Sequence, residues 1–195
     1  MNVILGGLQM RKTGFAFLYM GFGLLANMAS GQDLAALEAL RDGDMRKLNL
    51  HAEPQRGSGI TFLSEDGAEM TLAEYEGRIV VLNFWATWCA PCRVEMPHLS
   101  ALQADLGGDD FAVVTVATGR NALPAMQMFF DEIGVDNLPL HTDPRQALAR
   151  DMGVLGLPVT IILDREGQEI GRLQGDADWA SESAYAIVTA IIGAE

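Results

Sequence analysis

The chain opens with a block that has no polar face. Thr13 to Gln32 carries no formal charge, and Gly14 to Ala26 (GFAFLYMGFGLLA) is apolar or glycine throughout. Arg11 and Lys12 precede this run and the small residues Ala29, Ser30 and Gly31 follow it. That order of charge, apolar run and small residues is the pattern of an export signal. The run also approaches the roughly 20 residues of a spanning helix. Residues 1–31 are therefore expected to be either a cleaved signal peptide or an inner-membrane anchor through residues 13–32. Met10, just before Arg11, is an alternative start.

Beyond Asp33 the hydrophobic period changes. Leu34, Leu37 and Leu40 at helical spacing predict a short helix over Asp33–Leu48, interrupted at Gly43. His51–Gly59 (HAEPQRGSG) reads as a linker, so residues 32–55 form a helix and linker ahead of a domain at 56–195. Two short strands are expected near Ile60–Leu63 and Glu69–Leu72, joined through SEDG as an N-terminal β-hairpin. Ile79–Trp85 (IVVLNFW) and Phe111–Ala117 (FAVVTVA) are continuous apolar runs, the mark of strands covered on both faces. A helix from Cys89 to Leu106, kinked at Pro97, is predicted between them. Asn121 is placed to cap a helix with Pro124 in its first turn, and Met126, Phe129, Phe130 and Ile133 give that helix a buried face. Asp143 is read as the cap of a short helix with Pro144 at its first position. Pro158–Leu163 and Gln168–Leu173 read as strands joined at REG, and a last helix spans Asp178–Ile192. Strands alternating with helices and then a hairpin predict an α/β domain, a central mixed β-sheet flanked by helices on both faces.

Length and charge narrow the picture. A chain of 195 residues suits one compact domain. With 13 basic and 26 acidic residues its net charge is −13, which repels phosphate and sets nucleic-acid partners aside. Such a surface makes an electrostatically steered encounter salt-dependent and leans toward basic partners. Two cysteines allow one disulfide and exclude both a disulfide-stapled mini-protein and a four-cysteine zinc site.

Those two cysteines carry the chemistry. Trp88-Cys89-Ala90-Pro91-Cys92 follows the first buried strand and opens a helix. At i and i+3 the cysteines share a helix face and lie within disulfide reach. Cys89 falls at the helix N-terminus, where unpaired N–H groups and the positive dipole end favour a nucleophilic thiolate. Cys92, one turn inside, is expected to be more buried. Cys89 then attacks a partner disulfide, and Cys92 resolves the mixed disulfide. Pro91 suits the first turn and stiffens it. Other readings are half a metal site and a purely structural disulfide. His98 lies about 120° around the helix from Cys92 and is poorly aimed as a further ligand. A three-residue loop gains little chain entropy from closure. His51 and His141 show no ligand spacing. The dithiol chemistry calls for no cofactor and no metal.

The stretch FWATWCAPC, its continuation CRVEMP, and the proline of GLPVTIILDREG resemble the thioredoxin superfamily, in particular its TlpA/ResA-like branch of exported thiol:disulfide reductases. The resemblance covers about residues 56–195, and the segment GDADWAS brings the chain nearest the TlpA-like subgroup. It implies a thioredoxin-like fold with the N-terminal β-hairpin as an addition. It implies that Cys89 is the attacking and Cys92 the resolving cysteine, and that Trp88 shields the active surface. By the same resemblance Pro158 is a cis proline beside the cysteines. Trp88, Pro91, Leu157 and Pro158 are then substrate-binding, through pairing of the exposed backbone with a partner strand. Glu95 matches an acid that tunes thiol ionisation, its alternative being an exposed helix carboxylate. Asn83 stands where thioredoxin has a buried aspartate, so proton transfer to Cys92 falls to water or Glu95, with Asn83 serving local hydrogen bonds.

The branch further implies a monomer in the bacterial periplasm, soluble or anchored, re-reduced by a membrane electron donor. Its implied role is to reduce disulfides in partner proteins for cytochrome oxidase copper-site assembly, with a copper chaperone or oxidase copper-site subunit as partner, because metal binding needs thiolates. One alternative is an apocytochrome c reductase in cytochrome c maturation, a branch that often carries an acid after the cis proline, where this chain has Val159. Another is a Cu(I)-binding chaperone, a class that typically spaces its cysteines CxxxC. A thiol peroxidase would place threonine three residues before the reactive cysteine, where this chain has Ala86, with Thr87 one residue later. A disulfide-donating oxidase would differ in reduction potential.

Overall fold

The computed structural model describes residues 34–194. The expected signal or anchor segment lies outside them, and among the described residues no helix is long and apolar enough to cross a membrane.

The core is an eight-stranded mixed sheet in the order β1-β8-β7-β4-β5-β6-β2-β3. Its centre is β4 (Ile79–Trp85) and β5 (Phe111–Thr118), paired in parallel along their length. Both are buried at every position, as their unbroken apolar runs predict. β6 (His141–Asp143) extends the parallel set beyond β5. On the other flank β7 (Val159–Leu163) and β8 (Glu169–Gln174) run antiparallel as a hairpin. The expected N-terminal hairpin is β2 (Phe62–Leu63) and β3 (Glu69–Met70), added beyond β6 through Leu63 and Thr142.

Side-chain alternation on β4 and β5 splits the core in two. Val81, Trp85 and Val113 face the larger half, under α2 (Ala90–Leu106), α3 (Leu123–Ile133) and α5 (Glu182–Gly193). Leu82, Phe84 and Val114 face the smaller half, under α4 (Ala147–Asp151) and the 3-10 turn Leu72–Tyr75. The α/β thioredoxin-like architecture, with helices on both faces, is thus present.

Several local expectations are corrected. The helix predicted over Asp33–Leu48 is two pieces, α1 over residues 34–39 and a 3-10 turn at Gly43–Lys47. The glycine at the break has φ +52°, outside the helical region. The linker predicted from His51 begins instead inside β1 (Asn49–Gln55), an edge strand antiparallel to β8. Pro54 is compatible with it because an edge strand leaves one side of its backbone unpaired. Asn121 does not cap α3; that position is Ala122. α4 starts at Ala147, not Pro144, although Asp143 still receives the N–H groups of Ala147 and Ala149 at 2.8 and 2.9 Å. α5 starts at Glu182, capped by Ser181, and not at Asp178. β6 is a strand the pattern missed. Helix α2 continues through Pro97.

Candidate active site

The C-terminal ends of β4 and β5 and the start of β7 meet at one end of the sheet, and the two cysteines sit there. Chain leaving β4 turns at Ala86–Trp88 and enters α2 with Cys89 as its N-cap. Cys89 and Cys92 form a closed disulfide, with Cα atoms 5.3 Å apart. The Cys92 N–H points at Cys89 Sγ at 3.3 Å. The first-turn amide thus faces the sulfur that would carry negative charge after reduction, the arrangement a helix N-terminus offers an anion. Both cysteines are buried, Cys92 fully. Beside them Trp88 is 67% exposed. Pro91 is exposed in the first turn of α2.

The Leu157–Pro158 peptide is cis, as the resemblance implied. Pro158 is buried, and its carbonyl accepts the Gly175 N–H at 2.9 Å, tying the loop before β7 to the residue just past β8. Leu157 is half-buried, packs against the cluster that contains both cysteines, and lines one hollow with Trp88. Trp88 and Leu157 therefore share one hollow and Pro158 lines the neighbouring one with Leu157, whereas Pro91 and the two cysteines line neither.

Glu95 is fully buried, not an exposed helix carboxylate. Asn83 donates to its Oε1 at 2.7 Å and to Thr160 Oγ1 at 2.9 Å, so the residue in thioredoxin's aspartate position serves the local hydrogen bonds. Burial pushes the Glu95 carboxyl up to about 8; the Asn83 amide, the Ala177 N–H and the Trp179 indole pull the other way, and the Asp176 charge adds to the rise. No donor reaches Oε2 with normal hydrogen-bond geometry, and the Trp179 indole nitrogen beside it is also unpartnered. At neutral pH Glu95 is a carboxylic acid held one helical turn from Cys92.

Asn121 was missed as a site residue. Its Oδ1 accepts from both the Thr87 N–H, at 2.9 Å, and the Thr87 hydroxyl, at 3.0 Å, while Nδ2 donates to Thr118 O at 3.0 Å. It clamps the turn before Cys89 to the end of β5. Trp179, fully buried against Glu95, was likewise noted only as part of a resembling segment. Arg93 lies over the Phe129 ring at 4.4 Å and pairs with Glu132, tying α2 to α3. His98 Nδ1 lies 3.5 Å from Asp178. Among the described residues no three His, Cys, Asp or Glu side chains group to hold a metal ion.

The model of the AhpC/TSA family matches residues 55–168, from the end of β1 to the β7–β8 turn. The chain belongs to the AhpC/TSA family. Curated relatives include the thiol:disulfide interchange protein HelX of Rhodobacter capsulatus, 39% identical over 51% of this chain and 54% of its own length. The thioredoxin-like protein YneN of Bacillus subtilis is 33% identical over 59% of this chain and 67% of its own. The thiol-disulfide oxidoreductase ResA of Halalkalibacterium halodurans is 32% identical over 56% and 62%. The chain thus spans just over half to two thirds of these relatives' lengths. Among solved structures, a Chlorobium tepidum protein assigned as the thiol:disulfide interchange protein DsbE is 25% identical, with a TM-score of 0.64 over 74% of this chain and all of that one. The AhpC/TSA match includes β4, α2 and the cis-proline strand.

Proposed function

We propose that this protein is a thiol:disulfide oxidoreductase that reduces disulfides in partner proteins. The observation that carries the reading is the Cys89–Cys92 disulfide at the N-terminus of α2, opposite the cis Leu157–Pro158 loop. The likeness to HelX and ResA supports it. In the reduced protein the Cys89 thiolate attacks one sulfur of a partner disulfide. A mixed disulfide forms, and the first partner sulfur leaves as a thiolate. Cys92, once deprotonated, attacks Cys89 Sγ, closes the internal disulfide and expels the second partner sulfur. Two electrons have then passed to the partner, and a membrane-bound dithiol donor restores the pair. Trp88, Pro91, Leu157 and Pro158 bind the partner segment; Glu95, protonated in most molecules at neutral pH, takes the Cys92 proton only in its ionised fraction, and water takes it otherwise.

The finer reading is a periplasmic monomer of the TlpA-like kind, soluble or anchored through residues 13–32, acting on copper-site cysteines during cytochrome oxidase assembly. Val159, buried in β7 where the apocytochrome c branch often has an acid, favours copper-site targets over apocytochrome c. Thr87 gives its hydroxyl to Asn121, which speaks against its orienting a peroxide.

The first test is the reduction potential of the Cys89–Cys92 couple in defined thiol buffers. A value near thioredoxin's, about −270 mV, is expected; one near about −120 mV would make the protein a disulfide donor. Cys92→Ser is expected to trap the partner as a mixed disulfide on Cys89, and mass spectrometry of the adduct separates copper-site partners from apocytochrome c. Full multiple turnover by Cys92→Ser would sink the two-cysteine mechanism.

A further inference from the structure

The substrate groove carries a charge that the whole molecule does not. The hollow of about 290 Å³ beside Trp88, the residue before Cys89, is lined by Trp88, Gln146, Arg150, Val154, Leu155 and Leu157, among others. Leu155 is 99% exposed, and with Gly156 and Leu157 it forms a ridge between this hollow and a second one of about 190 Å³ along Pro158 and Val159. A side chain so exposed on a ridge beside a reactive disulfide is positioned to meet a partner.

The arginines at this end are free of acidic partners. Seven other basic side chains in the described residues pair with a carboxylate. Among the described residues none lies within ion-pair distance of Arg120, Arg145 or Arg150. Arg150 lines the hollow itself. Arg145 adjoins Gln146, and Arg120 adjoins Gly119, whose φ of +80° turns the chain tightly against the Gln146 side chain. Asp151, next to Arg150, is held away by Arg56 at 3.1 Å and Ser58 at 2.7 Å. The acidic groups near the site, Asp176 and Asp178, lie past Gly175, beyond the cis-proline loop and beside Glu95 and His98.

We propose that this groove selects a partner segment carrying an apolar and an acidic side chain next to its disulfide cysteine, the first seated against Leu155 and Val154 and the second against Arg150. The inference rests on the oxidoreductase reading above. It runs opposite to the expectation from the net charge of −13, which disfavours acidic partners. A short-range pairing at a partly enclosed wall outweighs diffuse repulsion, which salt screens over about 10 Å.

The test uses the reduced full chain and two synthetic peptides with leucine beside a cysteine linked to 2-mercaptoethanol. They differ only in a glutamate or a glutamine two residues away. The glutamate peptide is expected to react about threefold faster at low ionic strength, a ratio that falls toward one in high salt. Arg150→Glu is expected to bring the ratio below one. Arg165→Glu, at the opposite end of the sheet, changes the net charge equally and is expected to preserve it. A glutamate peptide that reacts no faster than the glutamine peptide overturns the inference. So does a ratio that Arg150→Glu leaves unchanged or that Arg165→Glu lowers equally. Failure of the wild-type dithiol to exchange with neutral hydroxyethyl disulfide is a separate result; it overturns the oxidoreductase reading and this inference with it.

Discussion

A carboxyl group sealed under Trp179 and touched by one amide keeps its proton far above the usual carboxylate range. In the unfolded chain Glu95 returns to about 4.5. Between that value and about 8 the folded protein holds a proton the unfolded chain has released, so this residue's contribution to stability falls as pH rises through that window. Glu95→Gln is expected to flatten the dependence, seen as urea midpoints that change less from pH 5 to pH 8 than in the wild type. The alkylation rate of the reduced Cys92 should also lose a titration near pH 8 in that variant, a change that a purely packing role would not produce. The cysteines, Trp88 and Pro158 were legible because each belongs to a short local motif. The burial of Glu95 was legible in principle: Cys92, Glu95, Met96, Leu99 and Leu102 keep helical spacing and form the buried face of α2. Asn121 was not, because a residue just ahead of a proline-headed helix carries the signature of a cap, while its actual partner, Thr87, is 34 residues away.

Elements held by long apolar runs were read to within a residue, as β4 and β5 show. Elements held by distant pairing were not. β1 is mostly polar and contains a proline, so nothing local marks it as a strand; β8 makes it one. Side chains reinforce that pairing. Glu169, buried on β8, accepts from His51 of β1 at 2.7 Å and from Arg172 Nε and Nη2 at 2.6 Å each, and Arg172 also reaches Met152 O. Burial alone would raise the Glu169 pKa, but Arg172 and His51 outweigh it and hold it low. That stabilisation is present above the ordinary carboxylate range and is lost as pH falls through the lowered value. Arg172→Met leaves a buried carboxylate with one partner and is expected to cost about 2–4 kcal/mol, read from denaturant unfolding at pH 7. A chain starting at Arg56, where the sequence placed the domain boundary, lacks β1 and bares the β8 edge. It is expected to melt several degrees below a chain starting at Leu34 and to associate at high concentration.

The molecule as a whole is acidic, yet the hollow beside Trp88 presents Arg150, which has no carboxylate within ion-pair distance among the described residues. Net charge is legible in a sequence; its distribution over the folded surface is not, because Asp151 and Arg150 are neighbours in the chain and part company in space. Proton uptake on reduction is also a property of the molecule as a whole. Opening a disulfide to two thiols consumes two electrons and two protons, and each proton drawn from water tilts a two-electron potential by about 30 mV per pH unit. The carboxylic acid at Glu95 means that the oxidised protein already stores a proton inside. That proton can pass to Cys92 as the disulfide opens, but between pH 5 and 7 a carboxyl whose pKa stands near 8 takes one back from solvent, so the equilibrium count is unchanged. Wild type and Glu95→Gln are therefore expected to share one slope of potential against pH over that range, measured in defined thiol buffers, and to differ in how fast the disulfide opens. The stored proton sets the speed of the exchange and leaves its driving force alone.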